Sequence, residues 1–403
     1  MNDLDAVPAQ YPYLRIGHLG EESHRDDGRI LEGIGTHVTL ESADIEEEIK
    51  HGLDLAVISP SLLESADAPA ELDAALDLLT ACEGSGIPTV LFAEGEEDLE
   101  TRVAGVVSHV VTTDASVYRS ATTRFGRERA LLVKSVFDPR KVLLEGAGET
   151  EALTPEAVAR RRTTIDERSP KAQADAIAEW LGFTVEPLPT VTAIVVSRKA
   201  ENLDVTLANL RRQEYPNIDV LLTIDPMYAQ AAREAISEWD IPARLEVSQP
   251  GGTLADRLNL GIFRAHGDLV TVFEENALYG SHHVSDLVQA ALYSGADLVG
   301  KASWHVYDEA KDIMVARAPA TQRSFGELPA LGTMMMRRET ASRFGFSRRA
   351  SGINWPLTER VSNEASGVYS IHAYDTVLPK KGQDLRSLER RTHESSAFPF
   401  RRL

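Results

Sequence analysis

Short apolar runs of strand length recur along the first 140 residues, at Leu14–Gly17, His37–Leu40, Leu53–Ser59, Ile87–Phe92, His109–Thr113 and Ala130–Ser135. Between them, Glu71–Glu83, Glu97–Val107 and Ser116–Phe125 carry apolar residues at helical spacing. Continuous apolar runs that alternate with amphipathic helices predict a parallel sheet covered on both faces, a Rossmann-like domain. A helix is predicted from Pro155 to Leu181, stopped by Gly182, and Phe183–Thr190 with its two prolines reads as an extended linker. The expected organisation is a domain over residues 1–184, a second over 185–379 and a tail over 380–403.

After the linker the apolar runs acquire polar tips. Val191–Val196 is a buried-strand pattern ending in Ser197 and Arg198, followed by an amphipathic helix over Asn202–Gln213 and a turn at Tyr215-Pro216-Asn217. The next strand, Val220–Ile224, ends at Asp225, and a later one, Leu269–Phe273, ends in Glu274-Glu275-Asn276. Open α/β sheets bind ligands at the carboxyl ends of their strands, so these tips are the candidate site. The expected fold class is α/β in both domains.

Charge separates the two halves. Residues 1–184 hold 35 acids and 17 bases, and residues 185–403 hold 27 and 25, which together give the net charge of −20. Residues 51–100 contain twelve acids and no Lys or Arg, a face that repels nucleic acid and anionic lipid. Lys380–Leu403 reverses the sign with seven bases and three acids; it reads as a solvated tail or as a contact to an anionic polymer or membrane surface. There is no run of 18 apolar residues and no signal-peptide pattern, so the expectation is a cytoplasmic protein, with peripheral contact to the inner membrane face as the variant the tail suggests. The single cysteine, Cys82, excludes an intramolecular disulfide and a cysteine-based zinc cluster.

A dinucleotide fingerprint would fall at Ile16-Gly17-His18-Leu19-Gly20-Glu21-Glu22, where two glycines followed by two acids make a poor phosphate cradle. The segments Gly86-Ile-Pro-Thr-Val-Leu-Phe92, Val107–Asp114 and Ser135-Val-Phe-Asp-Pro139 resemble the Rossmann-like half of spore-maturation-type GT-B glycosyltransferases. Where such a domain would hold a diphosphate, this chain has Glu94, Glu96 and Glu97, so the first domain is expected to be a scaffold or docking module.

In the second half, Gln213-Glu-Tyr-Pro-Asn217, Gly252-Thr-Leu-Ala-Asp-Arg257-Leu-Asn259-Leu-Gly261, Ala265-His-Gly-Asp268, Leu278-Tyr-Gly280, Ser294–Lys301 and Leu331-Gly-Thr333 follow one another. This series, over about residues 190–375, resembles the GT-A, family-two nucleotide-sugar glycosyltransferases. The resemblance implies sugar transfer from a nucleotide diphosphate-sugar to a cell-envelope polysaccharide or related glycan. It puts Ser197, Arg198, Asp225, Arg257, Asn259, Glu274 and Glu275 at the nucleotide-sugar site, and Glu274 and Asn276 where a Mg²⁺ or Mn²⁺ would neutralise the leaving diphosphate. Both acidic motifs depart from the family pattern. Glu274, Glu275, Asn276 and Ala277 stand where aspartates are common, and Ile353-Asn354 replaces the Glu-Asp that supplies the general base. An amide has no basic lone pair at neutral pH, so Asn354 can bind an acceptor hydroxyl but cannot take its proton. Asp308, Glu359, His372 and His393 are the substitute bases nearby, each also readable as a packing or surface residue. The alternative function is therefore a catalytically inactive pseudo-glycosyltransferase that serves as scaffold or binding subunit for a catalytic partner or a second copy. His282 and His283 read either as a phosphate contact or, the favoured reading, as caps of the helix that follows them, and Met334-Met-Met336 is expected to lie in a buried strand.

Overall fold

The computed structural model describes residues 14–19, 30–31, 35–41, 45–58, 69–137, 139, 155–185, 187–197, 203–275, 277–308, 311, 313–318, 322–349 and 351–379. The chain divides into two compact units, residues 1–145 with 160–186, and residues 146–159 with 187–403. Arg198, Asn276, His393 and the basic tail lie outside the described residues.

The first unit is a parallel sheet of strands β1 Leu14–Leu19, β2 Gly35–Thr39, β3 Leu55–Ile58, β4 Thr89–Phe92, β5 His109–Thr112 and β6 Ala130–Leu132. Their order is β2-β1-β3-β4-β5-β6, every described pairing being parallel. The strands β3 and β4 are buried at every position, as runs covered on both faces must be. Gly17 lies inside β1 beneath Leu40, whose Cγ is 2.6 Å from where a Cβ would stand, so this glycine serves strand packing.

Two expected helices are divided, each for a local reason. The Pro155–Leu181 pattern folds as Pro155–Arg168 and Pro170–Trp180. Pro170 lacks an N–H and its ring crowds the preceding turn, so Ser169 leaves the helical region and caps the second helix through the Ala172 N–H (3.3 Å). Over 97–107, a 3₁₀ turn at Glu97–Glu100 precedes a short helix at Arg102–Val106. Thr101 separates them by accepting the Ala104 N–H at 3.2 Å.

The second unit holds the remaining strands: β7 Val191–Ser197, β8 Ile218–Ile224, β9 Ala243–Val247, β10 Leu269–Glu274, β11 Leu278–Tyr279, β12 Leu298–Gly300, β13 Trp304–Asp308, β14 Ile313–Arg317, β15 Ser324–Phe325, β16 Met335–Arg337, β17 Val368–Ser370 and β18 Thr376–Pro379. A mixed sheet runs β15-β17-β12-β16-β10-β7-β8-β9, and a smaller one runs β11-β18-β13-β14. The central strands β10, β7, β8 and β9 are mutually parallel, and β16 runs antiparallel against β10. One apolar layer gathers Val191, Val195, Leu222, Phe273 and Leu287; another gathers Ile194, Leu258, Val272, Met334 and Leu357. Met334, Met335 and Met336 are buried, as expected.

Candidate functional site

Strand register decides which side chains reach one edge of the second unit. Glu274 lies opposite Val196 and Ser197 opposite Ile224, so the chain leaves β10, β7 and β8 side by side. At that edge is a cleft of about 210 Å³, with Glu274 and Glu275 at its polar end. Val196, Leu254, Leu258 and Leu331 form its apolar walls. Leu254 and Leu258 sit one helical turn apart on Leu254–Arg264, a helix fixed at its start by a capping box between Thr253 and Asp256.

The two carboxylates are held differently. Ser197 donates its hydroxyl to Glu275 Oε2 at 2.7 Å, which ties the tip of β7 to the tip of β10. Glu274 is partly buried, and its carboxyl pKa is raised, first by loss of hydration and further by the Glu275 charge; an N–H from Gly332 acts against these. The Glu274 backbone N–H donates to the Tyr279 hydroxyl at 3.0 Å. Tyr279 is fully buried, its ring 4.6 Å from that of Phe273 and 4.5 Å from that of His283. The acidic tip therefore stands on an aromatic base.

Gly332 is required by this arrangement. A Cβ there would lie 2.6 Å from the Tyr279 hydroxyl and 2.8 Å from Glu274 Cγ. Gly332→Ala is expected to destabilise the second unit by roughly 1–3 kcal/mol, the usual cost of overpacking, and to displace Glu274. Chemical denaturation followed by tryptophan emission checks it; a wild-type midpoint would show that the loop yields freely.

The other candidates among the described residues are engaged with backbone. Asp225 caps the 3₁₀ turn Pro226–Tyr228 by accepting the Met227 N–H at 3.1 Å. Arg257 is buried and donates to the Gly252 carbonyl at 2.9 Å, closing the turn before its own helix. The Asn259 amide grips Phe346 from both sides, accepting its N–H at 2.7 Å and donating to its carbonyl at 3.0 Å. Asn354 donates to the Pro329 carbonyl at 2.9 Å, two residues before the cleft wall Leu331. Glu274 and Glu275 are thus the candidates at the cleft, with the buried Ser197 behind them holding Glu275. No local pattern singles out the cleft's apolar walls or the Tyr279 support, although the segments Leu331-Gly332-Thr333 and Leu278-Tyr279-Gly280 supply one wall and the support.

A buried polar cluster lies at the smaller sheet. His283 occupies the first position of helix His283–Ser294, yet it is fully buried with Nδ1 3.1 Å from Thr376 Oγ1. His282 stands at the N-cap without a side-chain capping bond, its Nδ1 3.6 Å from Glu214. The expected capping role is therefore replaced by core packing for His283, whose ring is enclosed by Phe273 and Tyr279. His372 pairs with Asp286 at 3.1 Å, and the fully buried Lys301 donates to the Tyr374 carbonyl. Glu359 is exposed, and Asp308 ends β13.

His305 belongs to the same cluster, 2% exposed, with Nδ1 3.2 Å from the Ala373 carbonyl. Burial lowers its pKa to about 4, Lys301 and His372 pushing the same way against the Ala373 bond and Asp375. Folded His305 is thus neutral where the unfolded chain, with the ordinary value near 6.5, binds a proton. Stability is expected to fall as pH drops from 6.5 toward 4, by up to about 3 kcal/mol from this residue. Hydrogen exchange of β13 amides across that range checks it; His305→Asn should flatten the dependence.

No family model matches the chain, and no curated protein sequence does. Among solved structures, the chain is similar to a mannosyltransferase, PcManGT from Pyrobaculum calidifontis in complex with GDP-Man and Mn²⁺, at 15% identity over 51% of this chain and 61% of that one, TM-score 0.39. It is also similar to S. aureus TarS 1–349 in complex with UDP-GlcNAc, at 15% identity over 52% and 61% of the two chains, TM-score 0.39. TarS 1–349 without a named ligand aligns at 14% identity over 47% and 60%, TM-score 0.37. The chain thus spans about three-fifths of the length of these structures.

Proposed function

We propose that the second unit is a GT-A-like glycosyltransferase domain that binds a nucleotide diphosphate-sugar over Glu274 and Glu275. It would deliver the sugar to a cell-envelope polysaccharide or a related glycan. The observation carrying this reading is that Glu274 and Glu275, at the end of β10 beside its parallel neighbour β7, stand in a cleft with apolar walls, Glu275 being tied to the tip of β7 by the buried Ser197. Arg198 and Asp225 belong to the nucleotide side of the proposal, while Arg257 and Asn259 shape the helix and loop around it.

A diphosphate beside two carboxylates calls for a cation. Mg²⁺ is commonly held by one or two carboxylates with substrate phosphates completing the shell, and Glu274 and Glu275 suit that division of ligands. Among the described residues no cluster of three or more His, Cys, Asp or Glu is assembled for a metal. A divalent ion at this site would therefore depend on the nucleotide for its remaining oxygens, with Asn276 proposed as a neutral donor.

A second reading, the scaffold or binding subunit of a catalytic partner or a second copy, is favoured by Asn354. Its amide, at the position where the resemblance expects a general base, donates to the Pro329 carbonyl. Isothermal titration calorimetry with UDP-, GDP- and other nucleotide sugars, with and without Mn²⁺, tests the donor site. Nucleotide-sugar binding strengthened by Mn²⁺, with little Mn²⁺ binding alone, is the expected result; no binding in any combination would overturn the transferase reading.

No helix among the described residues is long and apolar enough to cross a membrane. Placement in the cytoplasm, with the basic tail touching the inner membrane face, is part of the proposal. The acidic first domain is proposed as its docking module.

A further inference from the structure

Trp355 is 56% exposed although its backbone is firmly mounted. On one side Ile353 is buried and its carbonyl accepts the Ser347 N–H at 3.2 Å. The adjoining Asn354 amide is bound to Pro329, and Pro356 fixes the backbone in the first turn of helix Trp355–Glu364. A tryptophan on a fixed backbone has only two side-chain torsions to lose when its face is covered, a small ordering cost that suits a recognition residue.

The surrounding charge restricts what would cover it. The Arg349 guanidinium lies 5.9 Å from the indole centroid. Arg348 is committed to Asp256 at 2.6 Å, whereas no carboxylate among the described residues forms an ion pair with Arg349. A guanidinium standing over an indole that is more than half exposed suits a ligand that packs a flat, weakly polar C–H surface on the exposed part of the ring and brings a carboxylate or phosphate to the arginine. Pyranose rings bearing an acidic substituent have both. The residue before the platform is linked to the segment that supplies a cleft wall, because Asn354 binds Pro329 and Leu331 lines the cleft.

We propose that Trp355 and Arg349 form a binding platform for an anionic saccharide, the indole packing on a sugar ring and Arg349 pairing with its acidic group. That this saccharide is the acceptor rests on the glycosyltransferase reading; the platform itself does not.

The test titrates the full-length protein with three probes: a hexamer of galacturonic acid, neutral maltohexaose and mannose 6-phosphate. Binding is read by calorimetry and tryptophan emission. The expected result is that an acidic probe binds and the neutral hexamer binds at least about tenfold more weakly, with Trp355→Ala and Arg349→Ala each costing about tenfold. Hexamer or phosphosugar preference then separates carboxylate from phosphate recognition. Trp355→Phe should retain most of the affinity, and circular dichroism verifies that each variant is folded. Equal affinity in wild type and Trp355→Ala, or no binding of any probe, overturns the platform. Nucleotide-sugar titrations of the same proteins keep the two ideas distinct. Acidic-probe binding through Trp355 without nucleotide-sugar binding would leave the platform standing and remove the transferase reading, and the reverse would remove only the platform.

Discussion

Under the proposed transferase reading, Glu274→Ala is expected to abolish nucleotide-sugar transfer, with a loss on the order of 10²–10³-fold or more, the scale seen when one group stabilising developing charge is removed. Glu274 ends the central strand β10, faces the cleft and is fixed by the Gly332 N–H above and the Tyr279 hydroxyl at its own N–H. Glu274→Gln separates charge from shape, because it keeps an oxygen for the Gly332 N–H but removes the negative charge. Equal loss in both variants identifies the charge as the requirement. Transfer rates and Mn²⁺-dependent nucleotide-sugar binding are the measurements, with denaturation midpoints controlling for folding. Wild-type transfer in Glu274→Ala would place the chemistry elsewhere. Under the scaffold reading the substitution should leave partner binding intact.

The largest expected effect on stability is at Asp286. Its side chain is 4% exposed and lies 3.1 Å from His372, itself 13% exposed, in a neighbourhood that includes buried Lys301 and His283. Removing the carboxylate leaves positive charge in a poorly hydrated region, so Asp286→Ala is expected to cost about 3–5 kcal/mol. Asp286→Asn should cost less, since the amide oxygen still accepts a hydrogen bond while the charge is lost. Urea denaturation supplies the magnitude, and hydrogen exchange should show the loss in β11, β13 and β18, the strands around the cluster. Unchanged protection there would mean that the pair contributes no net stability.

These two residues differ in how far the sequence revealed them. Glu274 was legible because a strand apolar from Leu269 to Phe273 and then abruptly acidic has one physical reading in an open parallel sheet: the chain emerges from the core at its carboxyl end. Asp286 was not. It is one polar residue in the helix His283–Ser294, and its partner His372 is 86 positions away, beyond reach of any local period. The same limit applies to His283, expected at a helix cap and found in the aromatic core. The breaks at Thr101 and Pro170, by contrast, are local chemistry that the apolar spacing alone overrode.

The sequence by itself determined the α/β class of the units, the strands of the first unit, the polar-tipped strands β7, β8 and β10 of the second, and that the side chain at 354 is an amide with no base to offer. These follow from burial periodicity and from the chemistry of single side chains, which do not depend on distant partners. The tertiary structure alone decided what the polar groups are doing. It joined Ser197 to Glu275, spent the amides of Asn259 and Asn354 on the carbonyls of Phe346 and Pro329, enclosed Lys301 and three histidines beside the smaller sheet, and left Trp355 in water. Hydrogen bonds are short and directional, so their partners are fixed only when the packed sheet brings segments remote in sequence within about 3 Å of one another.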